Sequence, residues 1–91
     1  MKRMRQEVLS VADNLINGSR EQEYGSVLAN FTMIAQLWET AFGWDTDPAK
    51  VALAMDLVKT ARLLTNPQHF DSWTDKAGYA ALGAEVACDD R

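Results

Sequence analysis

The chain has 91 residues, of which 47% are hydrophobic and 24% charged, and carries a net charge of −4. That balance is one of a globular domain rather than a disordered segment, at a size where folding buries roughly 60–65% of the surface exposed by the unfolded chain. The acidic balance excludes general nucleic-acid binding, which draws its affinity from Lys and Arg set against phosphates. A single cysteine, Cys88, excludes an intramolecular disulfide or a thiolate zinc site, and no run approaches the ~18 apolar residues of a membrane span, so a cytoplasmic protein is expected.

Taken in chain order, Met4, Val8, Val11, Ala12 and Leu15 form an apolar stripe between Arg5, Glu7, Asp13 and Asn14. The spacing predicts an amphipathic helix over about 3–17, and Lys2, Arg3 and Arg5 make a solvated basic start. Gly18 ends it, because glycine tolerates the backbone that follows a helix C-terminus. A long helix over 24–42 follows, with Tyr24, Val27, Leu28, Phe31, Ile34, Ala35, Trp38 and Phe42 at three-and-four spacing until Gly43. Gly25 weakens its first turn, which makes 20–26 a bent lead-in.

Asp47-Pro48 reads as a cap followed by a first helical residue, opening a third helix over 48–65. Apolar side chains cover most of its circumference, so this helix is expected at the centre of the domain. Asn66-Pro67 closes it. The last helix, over 70–88, carries Phe70, Trp73, Ala77, Ala80, Ala81, Ala84 and Cys88 along one side, and Gly78 within it points to close approach either of a neighbouring helix or of a ligand. Short connections make consecutive helices antiparallel neighbours. The predicted architecture is a single all-α domain over 1–91, a compact bundle of four helices. So small a domain with three Trp and three Phe should leave apolar surface to cover, so a homo-oligomer, first a dimer, is expected. Trp44, just beyond the end of the second long helix, reads either as an edge of the core or as the partly exposed aromatic of such a contact.

Charge is concentrated on the third and fourth helices. Lys59 and Arg62 are neighbours three residues apart, and Asp71 and Asp75 stack four apart with Tyr79 one turn on. The turn at Asn66-Pro67 brings Arg62 within reach of Asp71. Three readings of this set stand side by side. The aspartates cap their helix and pair with Arg62 and Lys59; or they hold Mg²⁺ while Lys59 and Arg62 clamp phosphate oxygens; or the same charges face a macromolecular partner. His69 reads as a turn or capping residue and Cys88 as a small hydrophobe. Serine-hydrolase, P-loop and His-Glu-x-x-His chemistries lack their motifs.

The strings Glu23-Tyr24-Gly25, Asn30-Phe31, Ile34-Ala35, Leu37-Trp38, Val51-Ala52-Leu53, Lys59-Thr60-Ala61-Arg62-Leu63, Asn66-Pro67, Asp71-Ser72-Trp73 and Asp75, followed by the run from Ala77 to Glu85, resemble a family of small phage and prophage proteins of unknown function, over about residues 5–86. The resemblance implies the cytoplasm of a bacterial host. More distantly, the Tyr-Gly lead-in, the Lys-x-x-Arg helix and the Asp-x-x-x-Asp-x-x-x-Tyr helix look like the MazG-like all-α nucleoside triphosphate pyrophosphohydrolases. That likeness implies a nucleotide or related phosphorylated metabolite held by Tyr24, Asn30, Lys59, Arg62 and Tyr79, with Mg²⁺ on Asp71 and Asp75. The chain departs from the MazG-like pattern at its earlier acidic set, whose spacing Glu21, Glu23 and Glu39 do not reproduce, so hydrolysis is left open. The alternative expectation is a non-enzymatic phage protein that binds or inhibits a host protein.

Overall fold

The computed structural model describes residues 3–88; Met1, Lys2 and the tail Asp89-Asp90-Arg91 lie outside the described residues. Five helices follow one another: α1 (Met4–Asn17), α2 (Arg20–Tyr24), α3 (Val27–Phe42), α4 (Pro48–Thr65) and α5 (Phe70–Cys88). Among the described residues there is no strand. The all-α expectation holds. The count of four is corrected by α2, which stands apart from α3.

The reason is Gly25. It has φ 78° and ψ −165°, a backbone open essentially to glycine alone, and it turns the chain between α2 and α3. Ser26 then caps α3 by accepting from the Ala29 backbone N–H at 3.1 Å. The other boundaries follow local chemistry in the same way. Gly43 takes the left-handed conformation at φ 73° and closes α3 by donating to the Glu39 carbonyl at 2.8 Å. Asp47 accepts from the Lys50 N–H at 2.9 Å and Pro48 fills the first helical position of α4.

The core is built from Val27, Phe31 and Ala35 of α3, Val51 and Ala52 of α4, and Leu82 of α5, with Ile16, Ile34, Trp38, Met55, Tyr79 and Val86 packed around it. The helix at the centre is α5, not α4 as the apolar circumference of α4 predicted: α1 and α4 both pack on α5, and α3 lies mainly against α4. The domain measures 46 × 33 × 23 Å. Its thin dimension is about two helix diameters, so α4 has one covered flank and one bare one. Leu53, Leu57 and Leu64 on the bare flank are 64%, 68% and 83% exposed.

Two close approaches seat α5. A Cβ on Gly78 would stand 3.1 Å from Ile16 Cγ2 of α1, and one on Gly83 would stand 2.9 Å from Ala52 Cβ of α4. Glycine at these places lets the backbones come together, as Gly78 suggested. Two ion pairs join α4 to α5 in opposite senses: Lys59 to Asp75 at 3.0 Å, and Lys76 to Asp56, with Lys76 also donating to Thr60 Oγ1 at 2.6 Å.

Candidate functional site

Where α1 ends, the chain turns through Gly18 into α2, and this corner stands over α3 and the middle of α5. The space between them is a cleft of about 590 Å³, within the 300–1,000 Å³ range usual for small-molecule sites. Its apolar wall comes from Ile16, Phe31, Ile34, Met55 and Leu82, and its polar groups from Asn14, Arg20, Glu23, Asn30, Asp75 and Tyr79, with Tyr24 at the edge.

Arg20 organises the cleft. It begins α2, so that Tyr24 lies one turn further along the same face; its guanidinium carbon is 5.6 Å from the Tyr24 ring centroid and 5.5 Å from that of Phe31. Cation–π contact with both rings holds the guanidinium. Nη2 donates to Asn30 Oδ1 at 3.2 Å. The other terminal nitrogen, Nη1, is buried and has no hydrogen-bond partner among the described residues. Leaving a buried donor unmatched costs about 1–3 kcal/mol, more when it is charged. Such a group is matched when an acceptor is brought to it.

Asp75 supplies the opposite charge. Lys59 lies behind it, 12% exposed, and takes Oδ2 at 3.0 Å, while the Asp75 side chain is 33% exposed toward the cleft. Asp75 makes no further side-chain bond among the described residues, so its other oxygen can accept. Glu23 adds a second, exposed carboxylate, which receives the Ser19 hydroxyl at 3.3 Å.

The seven residues proposed from sequence therefore separate into three groups. Tyr24, Asn30, Asp75 and Tyr79 line the cleft. Lys59 stands behind it as the partner of Asp75. Arg62 and Asp71 lie outside it and are exposed, with no ion pair between them among the described residues. The expected reach from Arg62 to Asp71 is thus corrected. Three residues along a helix turn Arg62 about 60° from Lys59, and each of the two serves its own helix terminus: Arg62 in the last turn of α4 and Asp71 in the first turn of α5.

The residue that sequence reasoning missed is Arg20, which falls at the start of the expected bent lead-in over 20–26. The Arg20-x-x-x-Tyr24 spacing was the available signal, but it has meaning only if α2 is helical and separate from α3.

Among the described residues no three His, Cys, Asp or Glu side chains come together; Asp71 is outside the cleft and Asp75 is tied to Lys59. These residues do not form a cage for Mg²⁺. His69 Nδ1 and Ser72 Oγ are 2.8 Å apart, but Ser72 is fully buried, closed to any substrate. A second groove of about 630 Å³, between α1 and the start of α5, is lined by Met4, Val8, Leu9, Pro67, Phe70 and Trp73. It is mainly apolar and gathers no chemistry.

Fold and cleft together define a small all-α domain with one polar recess built around an arginine. The chain belongs to the family described as a domain of unknown function, DUF6378, whose model matches residues 7–87. Two relatives are the Gene 55 proteins of Mycobacterium phages L5 and D29. The first is 41% identical over 76 residues, covering 82% of this chain and 49% of the relative; the second is 39% identical over 77 residues, covering 85% and 51%. The phage-protein resemblance is thereby borne out at the level of the family. The chain spans about half the length of these curated relatives. No solved structure matches it, and no helix among the described residues is long and apolar enough to cross a membrane.

Proposed function

We propose that the cleft between α1, α2, α3 and α5 binds a nucleotide or a related phosphorylated metabolite. The observation that carries this reading is the buried Nη1 of Arg20, a charged donor without an acceptor among the described residues, in a recess of ligand size. An anionic oxygen of the ligand matches it, and Asn30 and the two flanking rings keep the guanidinium oriented for it. Tyr24 is 58% exposed, so its ring can turn aside to admit that oxygen and then stack on a base. Tyr79 offers a second ring and a hydroxyl.

This reading keeps the ligand class implied by the MazG-like resemblance and leaves out hydrolysis and Mg²⁺. Glu21 and Glu39 do not line the cleft, and the acidic side chains that do, Glu23 and Asp75, are too few for the metal-dependent chemistry of that group. The test is calorimetry with AMP, adenosine and ribose 5-phosphate on the native chain and on Arg20→Met. Heat with AMP that is lost in Arg20→Met supports the proposal; no heat with any of the three counts against it.

A second reading, a protein that binds another protein, has its own support in the bare flank of α4. Leu53, Leu57, Ala61 and Leu64 recur at four, four and three residues and are all exposed, the spacing of a helix-pairing seam. A second copy of this chain suits it, because two such seams are self-complementary about a two-fold axis. Light scattering tests it: a dimer supports the pairing, and a strict monomer at high micromolar concentration removes it. The host-protein alternative is tested by pull-down from host lysate, where a stoichiometric partner competing with self-association would support it.

A further inference from the structure

The charges around the cleft narrow the ligand further, given the reading above. One positive side chain, Arg20, faces two negative ones, Glu23 and Asp75. The nearest additional cation, Lys59, does not line the cleft and is already paired with Asp75. Nη1 of Arg20 is buried and has no partner among the described residues, Nη2 donates to Asn30, and the rings of Tyr24 and Phe31 flank the guanidinium. The site therefore offers one cationic side chain to an anion, beside two carboxylates with acceptor capacity left: the Asp75 oxygen that Lys59 does not hold, and the exposed Glu23.

A polyphosphate fits this poorly. Each added phosphate brings further negative charge into a recess whose lining is net negative, with no cation cage to neutralise it. A phosphomonoester brings the smallest negative charge of the series to the one lining cation, and a sugar hydroxyl or an exocyclic amino group can donate to the open oxygen of Asp75 or to Glu23. We infer that the cleft selects a nucleoside monophosphate over the corresponding di- and triphosphates, with Arg20 as anion receptor and Asp75 as the acceptor that sets charge specificity. Asp75 is half of the ion pair with Lys59, so its removal changes the site in two ways together. It takes away a negative charge and frees Lys59.

The experiment is calorimetry at low ionic strength with AMP, ATP, UMP and UTP, each with and without Mg²⁺, on the native chain and on Asp75→Asn. The expected result is monophosphate binding at least about tenfold tighter than that of the matching triphosphate in both series, a ratio that rising salt reduces. In Asp75→Asn the ratio should fall at least about threefold through a gain in triphosphate affinity. Triphosphate binding as tight as or tighter than monophosphate overturns the inference and leaves the nucleotide reading standing. An unchanged ratio in Asp75→Asn, shown by circular dichroism to be folded, overturns the role given to Asp75. Binding by none of the four removes the inference and the reading together.

Discussion

Lys59 of α4 and Asp75 of α5 are joined at 3.0 Å, and the next residue of α5, Lys76, returns the bond to Asp56 of α4. The two pairs run in opposite senses across one helix interface. All four side chains are a third exposed or less, so solvent screens them less than it does surface pairs. Asp56→Asn is expected to cost about 1–2 kcal/mol, a fall in melting temperature of several degrees in a domain of this size. Exchanging the charges in the double variant Asp56→Lys, Lys76→Asp should recover at least half of that loss. Thermal unfolding of the two variants checks it, and a double variant no more stable than the single would show that the pair contributes little.

Gly78 and Gly83 should respond differently to the same change. At Gly83 an added methyl would meet Ala52 Cβ at 2.9 Å, a short side chain on a packed helix that cannot turn away. Gly83→Ala is therefore expected to lose about 1 kcal/mol, overpacking outweighing the better helix propensity of alanine. At Gly78 the neighbour is a methyl of Ile16 at 3.1 Å, which a small rotation relieves. Gly78→Ala should leave the melting temperature unchanged or slightly raised, yet weaken AMP binding, because Gly78 lines the cleft. Equal destabilisation in both would contradict the packing described for α5.

Arg20 should behave as a residue whose removal harms binding and not folding. Arg20→Met loses the bond to Asn30 and two cation–π contacts, and it also removes a buried donor that has no partner. These effects are of similar size, so stability should change by less than about 1 kcal/mol. Saturating AMP should then stabilise the native chain by about 2.7 kcal/mol at a hundredfold excess over Kd and leave Arg20→Met unmoved. Thermal shift with and without AMP reads both quantities. A variant that unfolds well below the native chain would make Arg20 a structural residue.

The bare flank of α4 leads to a prediction about assembly. If Leu53, Leu57 and Leu64 pair with a second copy, Leu57→Lys should give a folded monomer where the native chain is dimeric. Light scattering with circular dichroism distinguishes this from unfolding, and an unchanged molecular mass would place the contact elsewhere.

Much of the fold is written in short-range chemistry and could be read directly. Ser26, Gly43, Asp47-Pro48 and Asn66-Pro67 mark helix ends because capping depends on residues within one turn. The burial of α4 was not legible in this way. Leu53, Leu57 and Leu64 are as apolar as Val51 and Leu63, and which of them are covered depends on how many layers the domain has. The site divides along the same line. Tyr24, Asn30, Asp75 and Tyr79, singled out by their residue types or the family resemblance, line the cleft. Arg62 and Asp71 were drawn in by an assumed side-chain reach across the α4–α5 turn, but both are exposed and outside the cleft, with no ion pair between them among the described residues. Arg20 stayed hidden because its place depends on the turn at Gly25.

The most direct measurement of the central claim is a titration of the isotopically labelled chain with AMP, followed by amide and arginine side-chain resonances. Binding in the cleft predicts shifts concentrated at Arg20, Tyr24, Asn30, Asp75, Gly78 and Tyr79, with the Arg20 side-chain signals slowed in exchange as Nη1 gains its acceptor. Shifts confined to α4 around Leu57, or no shifts at all, would contradict it.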